Sequence, residues 1–184
     1  MDTTFSIEVD NLHWLADNAA EDLCAHGSVQ VRIGEQLVMQ HSDGDGWSVS
    51  AAAILLLRTL TLDHCPEAPL NENLVPCCGT AVSMKPGPED PYISGCPFGF
   101  NWWVRRSGDR VRLETAEGAE VEVSIEQWRD AVFRFADSVK GLYASSVPKV
   151  FPIEYEEPGY WAFHREWDRR RGSRDLGADR VKAG

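Results

Sequence analysis

"NWWVRRSGDRVRLETAEGAEVEVSIEQWRDAVFRFADSVKGLY", residues 101–143, changes its hydrophobic period once, and that change decides the fold. Before Ser124 apolar residues alternate: Val111 with Leu113, then Val121 with Val123, mark one buried face, and Gly108 and Gly118 stand where turns belong. Three antiparallel strands in a meander are expected. From Ser124 the repeat lengthens, and Ile125, Trp128, Ala131, Val132, Phe135, Val139 and Leu142 recur at helical spacing behind a capping box of Ser124 and Gln127. A meander that runs into a helix covering it is an α+β arrangement.

The first of these strands carries two adjacent indoles. Successive side chains of a strand point to opposite faces, so Trp102 and Val104 share one face while Trp103 and Arg105 share the other. One indole belongs to the core. The other is packed under a helix or exposed as a contact residue, and an exposed tryptophan is a strong interface anchor.

Outward from this stretch, "SVQVRIGEQLVMQ" (28–40) alternates Val29, Val31 and Ile33, turns at Gly34-Glu35 and resumes at Leu37 and Met39, which is a hairpin. "TFSIEV" alternates likewise. Residues 11–26 mix Leu12, Trp14, Leu15, Leu23 and Cys24 with acids and stop at Gly27, which reads as partly helical with a glycine end. Ala51 to Leu62 is apolar nearly all round, so a central helix over 48–62, capped by Ser48 or Ser50, is expected. Seven prolines between Pro66 and Pro97 predict a loop region with short extended pieces such as "TAVSM" and "YIS". A last helix over 158–171 is predicted from Pro158 at its first position, with Tyr160, Phe163, His164 and Trp167 on one face, acids at 154, 156 and 157 before it, and Arg169 to Arg171 as a solvated end. The fold expected is therefore α+β: an antiparallel sheet holding the hairpin and the meander, packed on three main helices, in one domain of residues 1–171 with a disordered tail at 172–184.

The cysteines raise the first chemical question. His64, Cys77, Cys78 and Cys96 bracket the proline-rich region, and such a set could hold a structural zinc pinning a long loop. Adjacent Cys77 and Cys78 depart from the usual Cys-x2-4-Cys spacing and diverge on extended backbone, so buried thiols packing as small hydrophobes are the competing reading. Cys96, between a glycine and a proline, could act as a nucleophile with His13, His26, His41, His64 or His164 as base, but no spacing selects one. With five cysteines, an odd number, and no signal-peptide pattern, reduced thiols and a cytoplasmic setting are expected.

Charge speaks to partners. The formal net charge is −11; residues 165–184 hold seven Lys and Arg against four Asp and Glu, which leaves −14 for residues 1–164. Such a body repels a phosphate backbone, so direct nucleic-acid binding is disfavoured and a basic protein partner is favoured. The longest apolar run, "VSAAAILLL", is broken by Arg58 far short of a membrane span. Acidic patches lie at "HSDGDG" (41–46), with Asp43 and Asp45, and at "IEYEEPG" (153–159), with Glu154, Glu156 and Glu157. Neither completes a calcium loop, and no glycine-rich phosphate loop occurs.

"DLCAHG" (22–27), "WSVSAAAILLLRTL" (47–60), "PCCG" (76–79), "GCPFGFNWWV" (95–104), "EQWRDAVFRFADSV" (126–139) and "PGYWAFHREWDRRR" (158–171) together resemble an uncharacterised family of small acidic bacterial cytoplasmic proteins. The likeness spans residues 20–171 and carries no catalytic residue over. In size, acidity and aromatic content the chain is also similar to immunity proteins that neutralise bacterial toxins, without a shared motif. The function expected is that of an acidic cytoplasmic binding protein, immunity-like, occluding a basic protein partner, with no cofactor. Trp102, Trp103, Arg105, Asp43, Asp45, Glu154, Glu156 and Glu157 are its candidate contacts. The alternative is a thiol- or zinc-dependent enzyme, or a zinc-stabilised module, centred on His64, Cys77, Cys78 and Cys96.

Overall fold

The computed structural model describes residues 5–15, 19–40, 46–77, 82–83, 90–151, 153 and 156–172. In chain order the elements are β1 (Phe5–His13), β2 (His26–Ile33), β3 (Gln36–Gln40), β4 (Trp47–Ser48), α1 (Val49–Thr59), β5 (Val75–Pro76), β6 (Val82–Ser83), β7 (Tyr92–Ile93), β8 (Gly99–Phe100), β9 (Trp103–Ser107), β10 (Arg110–Glu114), β11 (Glu120–Ser124), α2 (Ile125–Ala144) and α3 (Glu156–Gly172). The class is α+β, with three helices and antiparallel sheets. None of the helices described is long and apolar enough to cross a membrane.

The hairpin and the meander belong to two separate sheets rather than to one. The first runs β1-β2-β3 with β4 also on β2, and its register sets Ile7 opposite Val31 and Val9 opposite Val29. Val29, Val31, Ile33 and Met39 face the core, as their alternation requires. The second sheet runs β11-β10-β9, with Val104, Val111, Leu113, Val121 and Val123 buried and Arg105, Arg110, Arg112, Glu120 and Glu122 outside. Two short ladders, β5 with β8 and β6 with β7, fasten the proline-rich stretch, so its extended pieces do find partners.

Among the described residues of 11–26, namely 11–15 and 19–26, there is no helix. Residues 11–13 extend β1 through a bulge where Asn11 has φ 50°, and Gly27 is an internal residue of β2. The reason for glycine there is close backbone approach: a Cβ would lie 2.9 Å from the Asp10 carbonyl oxygen. Ser48 precedes α1 but caps nothing with its side chain, which meets the Cys24 sulfur at 2.8 Å. Ser50 lies inside the helix and accepts from the Ala25 N–H at 2.6 Å.

Apart from Arg58, every residue of α1 is buried, and the helix lies against both α2 and α3. α2 begins at the capping box expected: Ser124 Oγ accepts from Gln127 N and Gln127 Oε1 from Ser124 N. Its buried stripe packs chiefly on β1 and α1 and much less on the meander, which corrects the expectation that it covers the meander. α3 starts at Glu156, two residues before Pro158, so Glu156 and Glu157 are part of its first turn, where their charge complements the helix dipole.

Candidate binding surface

α3 turns Tyr160, Phe163 and Trp167 inward at helical spacing and leaves Trp161 outside with 47 % of its surface exposed. Of the seven tryptophans, Trp161 is the exposed one. Its indole N–H donates to Glu157 Oε1 at 3.1 Å, one turn back, and Arg165 lies one turn on. The connector from α2 passes beside it: the Phe151 ring meets Tyr160 at 5.3 Å and Trp161 at 6.1 Å, while Val147, Val150 and Ile153 stay exposed. With Leu15, these account for five of the nine exposed large hydrophobics among the described residues.

The connector is fixed in place. Val150 N–H donates to Ala20 O at 2.8 Å, and the Lys149 ammonium donates to Ala19 O and Asp22 O, each at 2.7 Å. The same ammonium lies 3.2 Å from the centroid of the Trp14 ring, a cation–π contact. Burial pushes the Lys149 pKa down, against the pull of Asp22.

Beneath the surface is a ring cluster around His164, with Tyr160 at 4.5 Å, Tyr143 at 4.8 Å and Phe163 at 5.4 Å. Burial, then the nearby Lys140 cation, lowers the His164 pKa to about 4, while Asp168 works the other way. The Lys140 ammonium stands 3.1 Å from Nδ1 and donates to it, which leaves the ring proton on Nε2. The Nδ1 lone pair is thus taken by Lys140, while the buried Nε2–H finds no acceptor among the described residues.

α3 is anchored by charge. Glu166, with no exposed side-chain surface, accepts from Arg58 through both oxygens at 2.9 and 2.8 Å, and from Arg170 Nε at 2.6 Å. Arg58 also donates to Pro91 O, and Arg169 and Arg170 both pair with Asp90. Burial alone would raise the Asp90 pKa, but the two arginines hold it below the usual value. Arg171 pairs with Asp137 and covers the Phe133 ring. The expectation of a solvated arginine end fits Arg169 and Arg171, which stay about half exposed while pairing with Asp90 and Asp137, but not Arg170, whose side chain is largely buried against Glu166 and Asp90.

The residues singled out in the sequence fall in different places. Trp102 is 1 % exposed and has no surface to offer, being packed near Phe5 and Phe100. Trp103 is half-buried and stacks on His64 at 5.2 Å, and Arg105 is exposed and pairs with Glu67 at 2.9 Å. Asp43, Asp45, Glu154 and Cys78 lie outside the described residues, as do His41 and residues 173–184. Glu156 and Glu157 join Trp161 on α3. That grouping was readable: once Tyr160, Phe163 and Trp167 define the inner face, Trp161 must face away.

His64 is buried between two fixed partners. Leu70 N–H donates to its Nδ1 at 3.0 Å, so the proton sits on Nε2, which donates to Asn101 Oδ1 at 2.9 Å. It therefore has no nitrogen to spare for a metal in this arrangement. Cys77 and Cys96 do come together, Sγ to Sγ at 3.6 Å, but among the described residues no three His, Cys, Asp or Glu groups converge as a metal site would need. Cys24 is held between Ser48 and the backbone, and burial raises its pKa, the reverse of an activated thiol. No family model, characterised protein or solved structure matches the chain.

Proposed function

We propose that this chain is a binding protein that occludes a basic protein partner, immunity-like in manner, with the α3 and connector surface centred on Trp161 as the contact. The observation that carries this reading is the exposed indole of Trp161 beside Phe151, on a connector whose Val150 and Ile153 are also exposed, with Glu157 bonded to the indole and Glu156 next to it in the first turn of α3. An aromatic anchor in an apolar patch supplies affinity, and carboxylates at the rim favour a cationic partner and speed encounter. The net charge of −14 on residues 1–164 points the same way and away from nucleic acid. On this reading the chain works in the cytoplasm and needs no cofactor.

Affinity capture from native lysate tests it. Wild type is expected to retain a basic protein at low salt and part of it at high salt, whereas Trp161→Ala retains none and Glu156→Lys with Glu157→Lys retains less already at low salt, with a weaker dependence on salt. Identical captured sets from wild type and Trp161→Ala would overturn the assignment.

A thiol-based centre is the second reading, supported by the contact between Cys77 and Cys96. Its zinc-dependent form is tested by elemental analysis of the purified protein, where stoichiometric zinc would favour it over the binding role.

A further inference from the structure

We propose that Cys77 and Cys96 form a peroxide-oxidisable dithiol, a modification site whose disulfide staples the proline-rich segment to the body. The sulfurs are in van der Waals contact at 3.6 Å and both are reduced. Backbone pairing holds them there: Val75 pairs with Phe100, Pro76 with Gly99, and Cys77 N–H donates to Phe98 O at 3.0 Å. Asn73 Nδ2 donates to Cys96 O at 2.7 Å from the same side. Gly99 permits this packing, because a Cβ there would stand 2.6 Å from the Val75 carbonyl oxygen. A disulfide needs about 2.05 Å between sulfurs, so closure asks for a shift of about 1.5 Å, within the reach of side-chain rotation.

Exposure orders the chemistry. Cys77 is half-buried and Cys96 only 7 % exposed, so a small peroxide meets Cys77 first. The Cys77 thiolate attacks the peroxide; an S–O bond forms, the O–O bond breaks, and the leaving alkoxide or hydroxide takes up a proton. The Cys96 sulfur then displaces the sulfenic hydroxyl: an S–S bond forms, the S–O bond breaks, and the hydroxyl departs as water with the Cys96 proton. Two thiols have lost two electrons and two protons, and the peroxide has become an alcohol or water plus one further water.

The bond closes the chain from Cys77 to Cys96 into a ring that contains Asp90 and Pro91, whose carboxylate and carbonyl hold Arg169, Arg170 and Arg58. Sulfur would fasten one end of this segment and arginine already fastens the other. Cross-linking of this kind constrains the unfolded chain and raises stability.

Treating the full chain with hydrogen peroxide and mapping peptides without reduction tests the proposal. Wild type is expected to lose two hydrogens per molecule, to join the peptides carrying Cys77 and Cys96, and to melt at a higher temperature than the reduced protein. Cys78→Ser should keep the bond; Cys77→Ser and Cys96→Ser should each lose it. Linkage of Cys96 to Cys78 or Cys65, or Cys77 driven to sulfinic acid while Cys96 still alkylates, would overturn it, as would an oxidised form melting no higher than the reduced one.

Discussion

At the scale of single residues, two buried ionisable groups are poised to give opposite kinds of dependence. Glu166 is enclosed by Arg58 and Arg170, each with 13 % of its side chain exposed. Removing the carboxylate leaves the largely buried Arg58 guanidinium with only the Pro91 carbonyl and Arg170 with Asp90 and Thr61, so Glu166→Ala is expected to cost about 3 kcal/mol in urea denaturation. An unchanged midpoint would mean the cluster is wetter than its geometry implies. His164 works through pH instead. Its folded pKa of about 4 lies below the ordinary histidine value of 6.5, so the folded state disfavours its protonated form. The stability that neutral His164 provides is complete above pH 6.5 and is lost as pH falls toward 4, on the order of 2–3 kcal/mol over that window. A proton-detected titration of the ring, together with denaturation of wild type and His164→Phe across the same range, checks this. The substitution should flatten the acid limb between pH 6.5 and 4.

Among elements, glycine separates what the sequence made legible from what it did not. α2 could be read because its cap, its stripe and its length all agree locally. The β1–β2 connection could not: Leu12, Trp14, Leu15, Leu23 and Cys24 mimic a helical stripe, and Gly27 mimics its end. What places Gly27 inside β2 is close approach to the Asp10 carbonyl and to Gly46, which are distant in sequence and invisible to local pattern. The division of the strands into two sheets was hidden for the same reason, since alternation marks a buried face without saying which strands share it. Trp161 carries a weaker local signal than the adjacent Trp102 and Trp103, and only the inward stripe of Tyr160, Phe163 and Trp167 marks it as outward. The two kinds of glycine predict a contrast. Gly27→Ala sets a methyl 2.9 Å from a backbone oxygen and is expected to cost about 1–3 kcal/mol, whereas Gly141→Ala, with nothing within 4 Å in α2, should gain about 0.5–1 kcal/mol. Denaturation midpoints moving in the same direction for both would contradict these backbone environments.

For the molecule as a whole, the question is whether an acidic body and one exposed indole act together. Trp14, Trp47 and Trp103 are half-buried and Trp102, Trp128 and Trp167 are buried, so a quencher in solution reaches Trp161 most readily. The field around that ring comes from a body charge of −14 on residues 1–164, of which Glu156 and Glu157 are the nearest part on α3, opposed locally by Arg165. A negative potential concentrates cations and depletes anions near the ring over about 8–10 Å at ordinary ionic strength. Caesium is therefore expected to quench the accessible tryptophan emission more strongly than iodide at low salt, and the gap should narrow as an inert salt is added. Trp161→Phe should remove most of the quenchable fraction and leave the remaining emission nearly insensitive to either ion. Equal quenching by the two ions would detach the indole from the acidic surface. A Trp161→Phe variant quenched like wild type would place the exposed ring elsewhere, and with it the contact on which binding to a basic partner depends.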